Sequence, residues 1–312
     1  MQKLAFLFAA TVALTHAAFA NPKVIASIVP VHSIVSAVMG DTGTPELLLS
    51  GRMSEHTASF TASQLSKLGQ AELVFIVGHG LEAKLAQIGG SEAVGGKRFV
   101  ELSEAVGIKT HKVREGGGWE THEHQHEEEE AGHDNHAEGI LPFDPHVWLD
   151  PENAKAMANA IAAELAKTDP VNAVIYAANA ARFASSIDAA SKEIASDLAA
   201  VRDKPLIVFH DAYQYFEKRF RLRAVGSIAN ISGASPSAQR LKEIRGKLAA
   251  TRAVCVFREP QFEGKFVDTV IEGGSARSGV LDPLGADLQP GPHAYLQLLR
   301  NLAGNLKSCL AG

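Results

Sequence analysis

Short apolar and β-branched runs alternate with helical spacing of apolar residues along the first third of the chain. The runs that predict strands are Lys23–Ile28, Glu46–Leu49, Leu73–Val77 and Arg98–Val100. The segments with helical spacing between them are Ser33–Met39, Thr61–Leu68 and Leu81–Ile88. This alternation of strand and helix predicts a mostly parallel sheet covered by helices.

A second set of alternating elements follows Pro205. Its predicted strands are Leu206–Phe209, Arg223–Ile228, Ala253–Phe257 and Gly279–Leu281. Its predicted helices are Ala212–Phe220, Ser237–Ala250, Phe262–Ile271 and His293–Leu306. We therefore expect an α/β protein with two Rossmann-like lobes, the first over residues 21–170 and the second over residues 202–312.

The segment between the two sets, residues 171–201, contains no Gly or Pro and is rich in Ala. It follows Asp169-Pro170, and a proline just inside the start of a helix is favourable. One continuous helix of this length would be roughly 45 Å long, and as a stiff link it would limit opening between the lobes. Two shorter helices with a break remain the alternative.

The first twenty residues have the pattern of a secretory signal peptide. Lys3 precedes the apolar run Leu4–Leu14, and the small-residue pattern Ala18-Phe19-Ala20 marks a cleavage site. No cysteine stands at that point for lipid attachment, which favours a free protein in a Gram-negative periplasm. No later segment is apolar enough to cross a bilayer, so we expect no membrane span in the mature chain.

Charge is concentrated in one segment. Residues 111–138 hold nine Asp/Glu against two Lys/Arg, a net −7 that leaves +2 for the rest of a chain whose total is −5. The total argues against a nucleic-acid partner. The segment has no periodicity and predicts a mobile insertion in the first lobe.

Six of the thirteen histidines lie in this insertion: His111, His122, His124, His126, His133 and His136. Imidazoles and carboxylates at close spacing on a flexible chain can bind divalent transition metals in many geometries. Ordering the chain costs conformational entropy, so we expect weaker binding than at a preformed site. A charged loop that binds metal only incidentally is the alternative.

Three other histidines stand where a built site is expected. His56 follows a predicted strand, and His210 ends another, in the region where open α/β sheets bind ligands. His146 precedes a helix that Asp150 could cap, with Pro151 at its first position. Taken singly, each is more often a surface or core histidine than a metal ligand. His32, His79 and His293 are interpreted as structural, although His79 could contribute to the cleft.

The two cysteines, Cys255 and Cys309, belong to a chain that should meet an oxidising compartment. A disulfide between them would stabilise the fold by roughly 4 kcal/mol through loop closure. Two reduced, buried thiols are the alternative.

Several segments resemble the metal-binding subunits of bacterial zinc uptake transporters, the ZnuA group of ABC solute-binding proteins, and the likeness covers nearly all of the mature chain. They are Ser54-Glu55-His56, Asp144–Pro151, Phe209–Phe216, Phe257–Phe262 and Leu281–Gly285. The resemblance implies that His56, His146 and His210 bind zinc in the cleft between the lobes. It also implies a disulfide at the two cysteines and an acidic, histidine-rich insertion typical of zinc-specific members. The implied partners are an inner-membrane permease and its ATPase, with the chain as a monomer.

The fourth zinc ligand stays open. Asp282 ranks slightly ahead of Glu55, because an aspartate in this region binds the metal in related manganese and iron carriers, and water ranks level with either. Three imidazoles with a weak fourth ligand suit Zn²⁺ and disfavour Mg²⁺ and Ca²⁺. Zinc is here the transported substrate.

Three other functions compete. A manganese or iron carrier of the same fold is the closest alternative. A zinc hydrolase would share the arrangement of three histidines, but the chain has no His-Glu-x-x-His helix and no clear general base. An adhesin of the same fold is the least favoured, because the lipidation cysteine is missing.

Overall fold

The structure is a computed structural model that describes residues 21–49, 53–91, 98–119 and 141–312. The predicted signal peptide, residues 1–20, lies outside the described residues. Among the described residues, every helix is too short or too polar to span a membrane.

Two parallel four-stranded sheets form the framework. The first has the order β2-β1-β3-β4 and the second the order β6-β5-β7-β8. The strands are β1 Val24–Ala26, β2 Glu46–Leu47, β3 Leu73–Ile76, β4 Arg98–Glu101, β5 Pro205–Val208, β6 Arg223–Ser227, β7 Cys255–Arg258 and β8 Arg277–Val280. All pairings are parallel, which confirms the predicted α/β class with two sheets. We call the parts built on the two sheets the first lobe and the second lobe.

Nine α-helices lie within the described residues. They are α1 Val29–Met39, α2 Ala62–Gln70, α3 Ala83–Gly89, α4 Pro151–Thr168, α5 Ala173–Leu198, α6 Gln214–Phe220, α7 Ala238–Thr251, α8 Lys265–Ile271 and α9 Ala294–Ala311. Local signals explain where several of them begin. The Asp150 side chain accepts the N–H of Glu152 at the start of α4, and Pro151 occupies the first helical position. The Ser237 hydroxyl caps α7 in the same way.

The long helix between the sheets is continuous. A short 3-10 turn at Pro170–Asn172 precedes the 26 residues of α5, so the alternative of two broken helices is set aside. Buried side chains recur every three or four residues along α5, and the helix packs against α4, α1 and α9. One face of α5 is therefore part of the core, and the helix is not an isolated link between the lobes.

One cluster of buried apolar side chains extends through both lobes. It includes Val74 and Phe75 of β3 as well as Leu206 and Val208 of β5. Tyr295 of α9 donates its hydroxyl to the backbone carbonyl of Trp148 at 2.5 Å. The lobes therefore share a core, and the division into residues 21–170, 171–201 and 202–312 stays a prediction.

The disulfide predicted from the two cysteines is present. Cys255 of β7 and Cys309 of α9 are bonded, with their Cα atoms 6.3 Å apart. The bond pins the C-terminal helix against the second sheet.

The start of the predicted insertion is bound to the second lobe. The Lys112 carbonyl accepts the side-chain amide of Gln214, and the Gly118 carbonyl accepts the backbone N–H of Ser227 at 3.1 Å. Residues 109–119, which we call the strap, thus run from the first lobe onto the second. The charged composition predicts that the mobile insertion begins at residue 111, whereas in the structure residues 111–119 are bound to the second lobe. Backbone hydrogen bonds hold these residues, and amino-acid composition gives no signal for such bonds. The rest of the insertion, residues 120–138, lies outside the described residues.

Candidate metal centre

Four side chains converge in the cleft between the lobes: Glu55, His56, His146 and His210. One ligand atom from each lies within 4.8 Å of all the others. We call this group the cleft cluster. His56 follows β2, and His210 stands two residues after β5, at the carboxyl ends of parallel strands. His146 lies in the turn that leads through the 3-10 helix Val147–Leu149 into α4. Folding thus joins residues that are 90 and 64 positions apart.

The His146 ring stands at the spacing of a tetrahedral metal site from each of the other two imidazoles. The Nε2 atom of His146 is 3.3 Å from Nε2 of His56 and 3.3 Å from Nε2 of His210. Two nitrogens bound to one Zn²⁺ at 2.0–2.1 Å in tetrahedral geometry stand about 3.3 to 3.4 Å apart. The rings therefore already hold positions that a zinc ion would require.

Buried carboxylates orient two of the rings. His146 donates from Nδ1 to Oδ1 of Asp144 at 2.8 Å, and His210 donates from Nδ1 to Oε1 of Glu259 at 2.8 Å. Because a carboxylate only accepts, each Nδ1 carries a proton, and Nε2 is the ring atom left to face the cleft. Asp144 also accepts the backbone N–H of His146 at 3.0 Å, which fixes the turn.

The four groups of the cleft cluster differ in proton affinity. Burial lowers the pKa of His56 and of His146 well below the usual 6.5, and the neighbouring imidazoles lower both further. Burial acts the same way on His210, but the carboxylates of Glu259, Glu55 and Asp211 together outweigh it, and the pKa of His210 is raised. Burial raises the pKa of Glu55 to about 7, against the opposing effect of His210. Two imidazoles are thus neutral and ready to coordinate, while protons compete at His210 and Glu55.

The two candidate carboxylates for the fourth position have different surroundings. Oε1 of Glu55 is 3.7 Å from Nε2 of His56 and 4.0 Å from Nε2 of His146. This oxygen is buried and has no hydrogen-bond partner in the part of the chain that the structure describes. An orphaned buried carboxylate oxygen is costly unless a partner occupies the space that it faces.

Asp282, in contrast, caps a turn. Its Oδ1 accepts the backbone N–H groups of Leu284 at 3.0 Å and Gly285 at 2.9 Å, and the side-chain amide of Gln261 at 3.1 Å. Its Oδ2 accepts the N–H of Ala286 at 2.6 Å. The sequence ranked Asp282 slightly ahead of Glu55, whereas in the structure the Asp282 oxygens are used by this turn.

A buried ion-pair group lies behind the cleft cluster. The Arg114 guanidinium, on the strap, donates to Asp211 at 3.0 Å and to Glu217 at 2.6 Å. It also lies over the Trp119 ring, 3.4 Å from the centroid. Asp211 directly follows His210, so the strap contacts the segment that presents this ring.

The remaining histidines fall into three groups. The His111 ring packs on Tyr215 with centroids 4.8 Å apart, and it belongs to neither group of potential metal ligands found among the described residues. His122, His124, His126, His133 and His136 lie outside the described residues. His79 lies with Glu101 and Glu104 in a second group of potential ligands, outside the cleft cluster.

The model of the family described as "Zinc-uptake complex component A periplasmic", ZnuA, matches residues 24–309. The chain belongs to this family. ZnuA proteins are solute-binding components of transporters and not enzymes, which sets aside the hydrolase alternative.

Named relatives agree with the ZnuA assignment. The high-affinity zinc uptake system protein ZnuA of Brucella suis biovar 1 (strain 1330) is 43% identical over 307 residues, which cover 92% of this chain and 91% of the relative. The ZnuA protein of Paracoccus denitrificans (strain Pd 1222) is 37% identical, with 93% and 92% covered. A solved ZnuA deletion mutant with zinc bound is 26% identical, with a TM-score of 0.74 and coverage of 93% of this chain and 98% of that chain.

Sequence reasoning gave no role to Asp144, Glu259 or Arg114. Glu259 could have been found from topology, because it follows β7, which pairs with the β5 strand that precedes His210. Asp144 stands two residues before His146, the spacing at which an aspartate accepts a neighbouring backbone N–H. No local signal in the strap identifies Arg114, because its partners lie about 100 residues away.

Proposed function

We propose that the chain binds one Zn²⁺ tightly through Nε2 of His56, His146 and His210, with Glu55 as the fourth ligand. The observation that carries the proposal is the 3.3 Å spacing of the Nε2 atoms, which matches the edge of a zinc tetrahedron. The unpartnered Oε1 of Glu55 supports the choice of fourth ligand. Its distances of 3.7 Å from His56 and 4.0 Å from His146 would have to shorten by about 0.4 and 0.7 Å to reach a tetrahedral edge.

The donor set favours zinc over the hard alkaline-earth cations. Three imidazoles with one carboxylate are borderline-soft ligands, whereas Mg²⁺ and Ca²⁺ prefer six or more oxygens. The Glu55 carboxylate offsets one unit of the ion's charge in a buried site, where unpaired charge is costly. The carboxylates of Asp144 and Glu259 raise the basicity of the rings to which they are bonded.

In this function the chain is the periplasmic carrier of a zinc uptake system. Residues 1–20 direct export of a monomer, which captures zinc in the cleft and passes it to an inner-membrane ABC permease driven by its ATPase. Family membership supports this assignment, as do the names of the relatives. The net charge of −5 argues against a nucleic-acid partner.

The histidine-rich insertion would act as a weaker zinc collector. Its histidines from His122 to His136 lie among glutamates in the sequence, and a set of this composition binds transition metals less tightly than a preformed site. His111 is fixed against Tyr215, so the five later histidines carry this role.

A metal competition experiment tests the assignment. Trp148 reports on the site because its ring lies 5.3 Å from that of His146, and Trp119→Phe removes the fluorescence of the other tryptophan. Zinc should bind with one tight equivalent, and an excess of Mn²⁺ should leave it bound. Displacement of zinc by Mn²⁺ would instead support the manganese carrier, whose fold is the same.

A further inference from the structure

A second group of metal-ligating side chains lies on the surface of the first lobe. His79, Glu101 and Glu104, which we call the surface triad, each offer one ligand atom within 4.8 Å of the other two. His79 follows β3, and Glu101 ends the neighbouring strand β4, so both stand at the edge of the first sheet from which His56 also projects. We propose that the surface triad is a second, weaker site for Zn²⁺.

The spacing of the donors within the surface triad fits a bound ion. Nδ1 of His79 lies 3.1 Å from Oε2 of Glu101, which is a hydrogen-bond distance. A bound ion would take the place of the Nδ1 proton between these two atoms, and their separation is close to the roughly 3.3 Å between two ligands of one tetrahedral zinc. Within the described residues, the Glu104 carboxylate has no ion pair and no hydrogen bond, so it is available as a third donor. One imidazole and two carboxylates form a set that zinc accepts, with water completing the coordination of an exposed ion.

The backbone holds His79 and Glu101 together before any ion arrives. The N–H of His79 donates to Oε2 of Glu101 at 3.0 Å, and Glu82 accepts the N–H of Gly78 at 3.0 Å, which fixes the turn. A Cβ atom at Gly78 would stand 2.5 Å from Oγ of Ser103 and 3.1 Å from the Glu101 carboxylate. Because Gly78 has no side chain, the Glu101 carboxylate can lie directly against the turn.

The surface triad is close to the residues that follow the histidine-rich insertion. Gly80, next to His79, lies 3.6 Å from the side chains of Leu141 and Pro145, measured from the position of an added Cβ. The side chain of His79 is 63% exposed, whereas that of His146 is fully buried. An ion at the surface triad would therefore exchange readily with solvent. Rapid exchange suits a site that collects zinc, whereas an ion in the buried cleft would exchange slowly.

The test counts zinc ions in a full-length mature chain whose five later loop histidines are replaced by Asn: His122, His124, His126, His133 and His136. Equilibrium dialysis should find one tight and one weaker zinc in this background. His79→Ala and Glu104→Gln should each weaken the second step by about tenfold or more and leave the first unchanged. His293→Ala, at another exposed histidine, should change neither step.

The outcomes separate this proposal from the assignment of the cleft. A single zinc per chain in the loop-substituted background, or a weaker step that survives His79→Ala, overturns the second site. Loss of the tight step on His210→Ala tests only the cleft cluster. Zinc-edge anomalous scattering supplies an independent readout, with a second peak expected at His79 and absent in the His79→Ala variant.

Discussion

The cleft cluster and the surface triad are built from the same two side-chain types, histidine and glutamate, and each has a histidine that follows a strand of the first sheet. The cleft cluster is largely buried, whereas the surface triad is largely exposed. In the cleft, carboxylates hold the Nδ1 atoms of His146 and His210 and leave each Nε2 free toward the others. At the surface, the Nδ1 atom of His79 itself faces a carboxylate, and the ring is largely exposed. The difference teaches that burial and fixed tautomers, more than ligand type, separate a tight site from a weak one.

The largest expected effect is the removal of a cleft imidazole. His56→Ala, His146→Ala and His210→Ala should each weaken zinc binding by about a hundredfold to a thousandfold, because the roughly 10 to 16 kcal/mol typical of a structural zinc site is spread over four ligands. Competition against a zinc chelator measures the loss. His32→Ala is the matched control, since this histidine is also buried but binds the Pro45 carbonyl. An affinity within about tenfold of the unchanged protein in any of the three variants would remove that histidine from the ligand set.

The next effect is pH dependence. Zinc must displace protons from Glu55, whose pKa is raised to about 7, and from His210, whose pKa is also raised. Glu55 carries its proton in the zinc-free protein below about pH 7, and the raised pKa of His210 keeps that ring protonated to a higher pH than a free imidazole, so affinity should fall as pH falls, by about tenfold or more from pH 8 to pH 6. His56 and His146 add nothing in this range, because their pKa values are lowered. A flat profile would contradict ligation by these groups, and Glu55→Gln should reduce the slope.

A comparison of Glu55→Gln with Asp282→Asn decides the fourth ligand. Glu55→Gln should weaken zinc binding by about thirtyfold, because a neutral amide binds the ion less strongly than a carboxylate. Asp282→Asn should leave zinc affinity almost unchanged and lower the free energy of unfolding by about 1 to 3 kcal/mol, because one of the two oxygens that accept N–H groups of its turn is replaced by an NH₂ group. Chelator competition and urea unfolding measure the two quantities. The reverse pattern would restore Asp282 as the ligand.

The fold followed from the sequence because periodicity and caps are local signals. The predicted strand Arg223–Ile228 matches β6 to within one residue, and the predicted cap at Asp150 is present. The bond between Cys255 and Cys309 also followed, from the number of cysteines and the expected compartment. Features that depend on contacts between distant segments did not follow.

Only part of the site could be predicted from the sequence, because some of its features depend on contacts between distant segments. The resemblance selected His56, His146 and His210 from thirteen histidines, which periodicity alone could not do. The use of the Asp282 oxygens by a turn depends on backbone geometry that residue types do not reveal. The sequence gives no sign of a metal site at His79, because Glu101 is 22 residues away and comes close only through the pairing of β3 with β4.

A smaller effect on zinc should follow from the carboxylates that orient the rings. Asp144→Asn and Glu259→Gln should each weaken zinc binding by about tenfold, the lower end of the range for residues that support metal ligands. The amide oxygen can still accept the Nδ1 proton, so the rings stay in place and only their basicity falls. The absorption spectrum of bound Co²⁺ should therefore keep its tetrahedral form. A spectrum typical of octahedral Co²⁺ would mean that these carboxylates hold geometry as well as charge.

The smallest effect on zinc should come from the disulfide, even though its effect on stability is large. Replacement of Cys255 and Cys309 by Ser opens a link between residues 54 positions apart and should lower the free energy of unfolding by about 4 kcal/mol. Zinc affinity, measured by chelator competition below the unfolding transition, should change less than about twofold, since Glu259 is held by His210 and not by α9. A loss as large as that of Glu259→Gln would show that the cleft depends on pinning β7. The contrast between the two sites would then rest partly on the rigidity of the second lobe.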